Sequence, residues 1–103
     1  MSATRESTIK RKAVRLALRL GVRSIKLAAP RGGETGWPDR CFLLPQGRAY
    51  FIEFKAPGGE LSAKQLYHLK ELNELGYPTA VCDNVEDVVK HLEAALAWRP
   101  RYS

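Results

Sequence analysis

The residues with the most chemical content are Asp39, Glu53 and Lys55, set in Gly36-Trp37-Pro38-Asp39-Arg40 and Phe51-Ile52-Glu53-Phe54-Lys55. Carboxylates are hard oxygen donors of the kind Mg²⁺ prefers, and that ion is commonly held by only one or two of them, with water and phosphate completing its shell. A lysine two residues beyond the glutamate adds an acid/base or charge-stabilising group beside such an ion. Read from the residues alone, two plainer arrangements stay open. Asp39 can cap a turn after Pro38, and Glu53 and Lys55 can form an ion pair on an exposed strand face.

The elements around the trio decide whether its members meet. Residues 40–44 and 49–55 are apolar runs either side of Pro45-Gln46-Gly47-Arg48, which predicts a hairpin. Alternation puts Phe51, Glu53 and Lys55 on one face of the second strand, with Tyr50, Ile52 and Phe54 on the other. An acid and a base on an otherwise apolar face are costly to bury without partners. A three- or five-residue turn pairs position 39 with 53; a two-residue turn pairs it with 54, on the wrong face. A shared site therefore predicts an odd-numbered turn, a bulge, or an Asp39 just outside the ladder.

Residues 6–20 read as a helix ended by Gly21, with Ile9, Ala13, Leu16, Ala17 and Leu20 on one face and Glu6 beside Ile9 and Ala13. Val14 and Leu18 point away from that stripe and could meet a partner subunit. Residues 22–29 predict a strand, Pro30–Pro38 a loop, and Ala56-Pro57-Gly58-Gly59 a break. Ser62 and Gln65 form a capping box for a helix running through Leu69 and Leu72 to Gly76, with Leu61 and Leu66 placed as a hydrophobic staple. Thr79–Cys82 is a short buried strand, and Asn84 caps a last helix with Glu86 and Asp87 in its first turn. The order α-β-β-β-α-β-α defines an α/β domain with a small mixed sheet flanked by helices.

The chain of 103 residues is long enough for one core and no more, so 1–103 reads as a single domain with its core at about 6–97 and a short tail, 98–103. No apolar run approaches the roughly 20 residues of a membrane span, and no signal sequence is visible. Cys41 and Cys82 lack zinc-type spacing and read as reduced core thiols of a cytoplasmic protein. The net charge of +6 is uneven. Residues 1–31 hold nine Lys/Arg against Glu6 alone, a local +8, and the remainder holds eight against ten acids, −2. A basic N-terminal third suggests a polyanion partner, although a solvated helix face explains the charge equally well. His68 and His91 read as structural or exposed. Of the aromatics that could stack on bases, Trp37, Tyr67 and Trp98, the first is the best placed.

Pro38-Asp39…Glu53-Phe54-Lys55 resembles the PD-(D/E)xK nuclease signature. The closer resemblance is to virus-type replication-repair nuclease (VRR-NUC) domains. It rests on Gly36-Trp37-Pro38-Asp39-Arg40, Glu53-Phe54-Lys55-Ala56-Pro57-Gly58-Gly59, Leu61-Ser62…Gln65 and Gly76, and extends from about Glu6 to Leu96. It implies a restriction-endonuclease-like core in which Asp39 and Glu53, helped by the Phe54 carbonyl, ligate Mg²⁺ or Mn²⁺. It further implies Lys55 as base or charge stabiliser, Gln65 facing the site, and Glu6 as an additional ligand or supporting acid.

The expected function is that of a metal-dependent DNA endonuclease recognising DNA structure more than sequence, with Lys12, Arg15, Arg19, Arg31 and Arg40 holding the backbone. One small domain carries one active site, so symmetric cutting of a four-way (Holliday) junction, in phage or bacterial replication or repair, favours a homodimer. The alternatives are a flap- or single-strand-directed nuclease, an RNA nuclease, and a non-cleaving DNA-binding or assembly module that recruits a partner such as a helicase.

Overall fold

The computed structural model describes residues 4–27, 29 and 31–98. The order is α1 (Arg5–Arg19), β1 (Arg23–Lys26), β2 (Arg40–Leu44), β3 (Arg48–Phe54), α2 (Ala63–Glu74), β4 (Thr79–Cys82) and α3 (Val85–Ala97), as the sequence predicts. The four strands form one sheet in the order β1-β2-β3-β4. The first two pairings are antiparallel and β3–β4 is parallel. A parallel neighbour needs a crossover, and α2 supplies it.

Strand alternation splits the sheet chemically. Phe42, Leu44, Ile52, Phe54, Ala80 and Cys82 face a core closed by Ala13, Ala17 and Val22 from the α1 side and by Val88 and Leu92 of α3. The stripe read on the first helix is therefore its buried face, with Ile9 and Leu20 packed at the margin and Leu18 exposed. Small residues at 13 and 17 let that helix lie close against the sheet. Both cysteines are buried in this framework, and burial pushes the Cys82 thiol up to about 11, which keeps it un-ionised and inert.

The first strand is shorter than expected, spanning four residues where 22–29 was the sequence reading. Its ladder ends with the Lys26–Arg40 pair and one further bond, from the Leu27 amide to the Asp39 carbonyl at 2.9 Å. Residue 28, next along the chain, lies outside the described residues, as does the tail from 99 onward. Val22 serves the core instead, tied by its amide to the Ala17 carbonyl at 2.8 Å.

The hairpin settles the register on which the site depends. Leu44 pairs with Arg48 and Arg40 with Ile52, so the turn is the three residues Pro45-Gln46-Gly47, with positive φ at Gln46 (65°) and Gly47 (70°). Continuing this ladder by one step sets Asp39 opposite Glu53, the odd-numbered solution.

Candidate active site

The first helix begins at Thr4, whose side chain caps it, and its opening turns carry Glu6 and Lys10 one turn apart on one face. They lie at the end of the sheet where β2 begins and β3 ends. There the Lys10 Nζ pairs with Asp39 Oδ1 at 3.2 Å, and the other carboxylate oxygen, Oδ2, accepts the backbone N–H of Phe54 at 2.8 Å. A residue's N–H and C=O point to the same flank of a strand, so the Phe54 carbonyl is directed to the Asp39 side of β3.

Glu53 is only 2 % exposed, and its Oε2 is buried without a hydrogen-bond partner among the described residues. Burial is the main reason its carboxyl is pushed up to about 9. Asp39 adds to the rise, through a hydrogen bond that two carboxyls can make only by sharing a proton and through its charge; Glu6 adds its charge, and Lys10 pulls the other way. An uncompensated acid in this position is unfavourable for folding, and such groups concentrate where function requires them.

Lys55 follows the strand. Its amide bonds to the Cys82 carbonyl at 3.0 Å, and its Nζ donates to the Gly59 carbonyl at 2.9 Å. The ammonium is thus held by the Ala56–Gly59 turn, which is closed by the Gly59 amide on the Ala56 carbonyl at 2.9 Å. Gln65 sits in the capping box. Its Oε1 accepts the Ser62 N–H at 2.8 Å, and Ser62 Oγ accepts the Gln65 N–H at 3.1 Å. Its amide nitrogen, which the cap does not use, is left to face a ligand.

The loop that delivers Asp39 is seated on α2. Gly36, at φ 93°, packs so closely that a Cβ there would lie 2.7 Å from Lys64 Cβ. Beside it the Lys64 Nζ donates to Thr35 Oγ1 at 3.2 Å, and the Trp37 ring stacks on His68 at 3.9 Å. This His68 is buried between two acids, Glu34 at 3.6 Å and Glu71 at 3.3 Å. It is structural, as the sequence allows: Glu71 stands one helical turn away, and the other partner is brought in by the fold. His91 is exposed and meets the Tyr50 hydroxyl at 2.9 Å.

Of the proposed backbone-binding residues, Lys12, Arg15, Arg19 and Arg31 are exposed. Arg40 is half-buried and tied to β1, donating from Nε to Ser24 Oγ at 2.8 Å and from a terminal nitrogen to the Ser24 carbonyl at 3.4 Å. Lys10 is the residue that sequence reading passed over. Its signal was the Glu6–Lys10 spacing of one helical turn.

A cavity of about 560 Å³ lies at the other end of β3, between Arg48, Tyr50, Tyr77, His91 and Trp98. It holds none of the acids above; of its polar groups, Tyr50 meets His91, and Arg48 donates to the Pro45 and Ala95 carbonyls. Asp39, Glu53 and Lys55 lie instead at the opposite end, where β3 ends.

A mixed sheet with buried and half-buried acids at one end has the form of a nuclease domain, and the comparisons agree. A family profile described as "VRR-NUC domain" matches residues 3–86. A protein of Acyrthosiphon pisum secondary endosymbiont phage 1, named "Putative nuclease p44", is 34% identical over 84 residues, covering 82% of this chain and 88% of its own. A solved structure described as a VRR_NUC domain superposes with a TM-score of 0.77 at 27% identity, covering 88% of this chain and 97% of that one. The chain belongs to the VRR-NUC family of nuclease domains. The profile ends at the start of α3, although that helix supplies Val88 and Leu92 to the core.

Proposed function

We propose that this chain is a divalent-metal-dependent DNA endonuclease of the PD-(D/E)xK type that resolves branched, four-way DNA as a homodimer. The observation that carries the metal reading is the buried Glu53 Oε2 without a partner, beside an Asp39 carboxylate, at the end of an otherwise apolar strand. Orphaned buried carboxylate oxygens are rare, and a place for an ion is one of the standard reasons for them. Among the described residues no three His, Cys, Asp or Glu side chains are grouped to hold a metal.

The donors are Asp39, Glu53 and the Phe54 carbonyl, with Glu6 as a further acid. When bound, the ion supplies Lewis-acid stabilisation of phosphate and a water of lowered pKa. The chain's own residues do the rest. With a dication beside it, Glu53 would be favoured as the carboxylate, its proton passing to solvent, because the ion's charge opposes the penalty that holds it neutral. Lys55 leaves the Gly59 carbonyl for the phosphate or the attacking water, as base or as charge. Gln65 turns its free amide group to the same place. Lys12, Arg15, Arg19, Arg31 and Arg40 hold the phosphate backbone, which favours recognition of DNA structure over sequence. A dimer follows from one site cutting one strand: symmetric incision needs two sites related by a two-fold axis.

The test is a cleavage assay on labelled single-stranded, duplex, flap, splayed and four-way-junction DNA with Mg²⁺ or Mn²⁺, using Lys55→Ala as control. Paired symmetric nicks in the junction that disappear in the variant are expected, with a dimeric mass by light scattering. Cutting confined to flaps or single strands would keep the chemistry and remove the junction role. DNA binding without cutting would favour a module that assembles with a helicase or other replication partner.

A further inference from the structure

Lys10 stands in an unusual place for a surface lysine. Its helix is fixed by Ala13 and Ala17, at 0% and 1% exposure, and by Ile9 against the core, so the residue after Ile9 is delivered to one location. There its ammonium takes Asp39 Oδ1, with the two side chains 27% and 22% exposed. The second oxygen of Asp39 is committed to the Phe54 amide. The nitrogen donors on this carboxylate are therefore one backbone amide and Lys10. Its charge also reaches Glu53, which it favours in the ionised form against burial, Asp39 and Glu6. Three acids thus share one paired cation among the described residues.

We propose that Lys10 is the built-in counter-cation of the carboxylate site, holding Asp39 in the metal-free protein and giving up its place when a divalent ion loads. The inference rests on the metal-site reading above. An ammonium and a dication cannot occupy the same oxygen without strong repulsion, since two like charges at contact distance in a partly desolvated site are poorly screened. The exchange keeps the acids neutralised in both states. Lys10 therefore serves as a positioning residue that sets how tightly the site takes metal, and it prevents Asp39 from standing unpaired beside Glu53 before loading.

Calorimetric titration of Mn²⁺ into the full chain tests this without reference to cleavage, using wild type, Lys10→Met and Lys10→Arg. Melting curves in chelator establish first that each variant is folded; Lys10→Gln replaces Lys10→Met if the latter is not. Removing the competing charge is expected to tighten Mn²⁺ binding by about threefold to tenfold, as loss of a partly buried ion pair should. Lys10→Arg, which keeps the charge, is expected to stay near wild type. The neutral variant should also melt lower in chelator and gain more from Mn²⁺ than wild type does. Equal or weaker Mn²⁺ binding by the neutral variant would overturn the role of Lys10 while leaving the metal site standing. No binding by any of the proteins would overturn both.

Discussion

The Asp39 carboxylate accepts the backbone amide of Phe54 at 2.8 Å across a hairpin whose three-residue turn makes Asp39 and Glu53 opposite neighbours. The acid is thereby locked to the strand that carries its partner, and its position follows from strand register, with little left to its own rotamer. Asp39→Asn keeps an acceptor for the amide and removes the charge. It is expected to lose the Lys10 ion pair but to melt above Asp39→Ala, while cleavage falls more than about 100-fold, the loss already seen for groups one step removed from a metal. Asp39→Ala leaves the Phe54 amide unpaired as well, and is expected to cost about 1–3 kcal/mol of stability. Parallel melting and cleavage measurements separate the two; equal melting temperatures would mean that the amide bond contributes nothing.

Glu53 makes stability depend on pH in a definite sense. Its carboxyl is raised from 4.5 to about 9, so between those values the folded chain binds a proton that the unfolded chain has released. Stability from this group is fully present below about 4.5 and is lost as pH rises towards about 9. In chelator, wild type should lose melting temperature across that window relative to Glu53→Gln, which carries no titrating group there. Added Mn²⁺ should restore wild type at the alkaline end and leave Glu53→Gln unchanged. Parallel pH profiles for the two proteins in chelator would show that burial does not hold Glu53 neutral.

Gly36 tests the seat of the Asp39 loop. Alanine there meets Lys64 Cβ at 2.7 Å and must adopt φ 93°, whereas alanine at Gly32, φ 78°, meets nothing within 4 Å. Both carry the backbone strain, of order 1–3 kcal/mol, but only the first pushes the loop off α2. Gly36→Ala is expected to lose activity several-fold and to change tryptophan fluorescence as Trp37 leaves His68, with Gly32→Ala near wild type in both. If the two variants behave alike, the close packing on Lys64 does not position Asp39.

What the sequence made legible was local. The capping box of α2 and the alternation of β3 follow from neighbouring residues, and both are observed; the length of the hairpin turn stayed open in the sequence, and the structure selects the three-residue form. Lys10 was missed because its pairing with Asp39 spans 29 residues and exists only once α1 crosses the end of the sheet. The Glu34 contact of His68 was hidden for the same reason, whereas Glu71 was within sight. The length of β1 was set by where its partner strand begins, which its own composition does not record. The family resemblance supplied roles for Glu6 and Gln65 that the geometry leaves to experiment, since Gln65 has already committed its oxygen to the cap.

The basic residues separate by how they are held. Arg15 and Arg19 are exposed on α1, so Arg15→Ala and Arg19→Ala should leave stability within about 0.5 kcal/mol. If each touches a phosphate, each should also reduce the slope of log K against log salt by about one. Arg40 is bound to Ser24 through two nitrogens, and its loss should cost about 0.5–1.5 kcal/mol for the bond while changing the salt slope less. Binding isotherms on junction DNA at several salt concentrations, with melting curves for the same proteins, give both quantities. An Arg40→Ala slope reduced as much as that of Arg15→Ala would mean that the Ser24 tether yields when DNA arrives, and that Arg40 is a backbone contact in the bound state. An unchanged slope with lowered stability would make Arg40 a brace between β1 and β2, holding the strand from which Asp39 is presented.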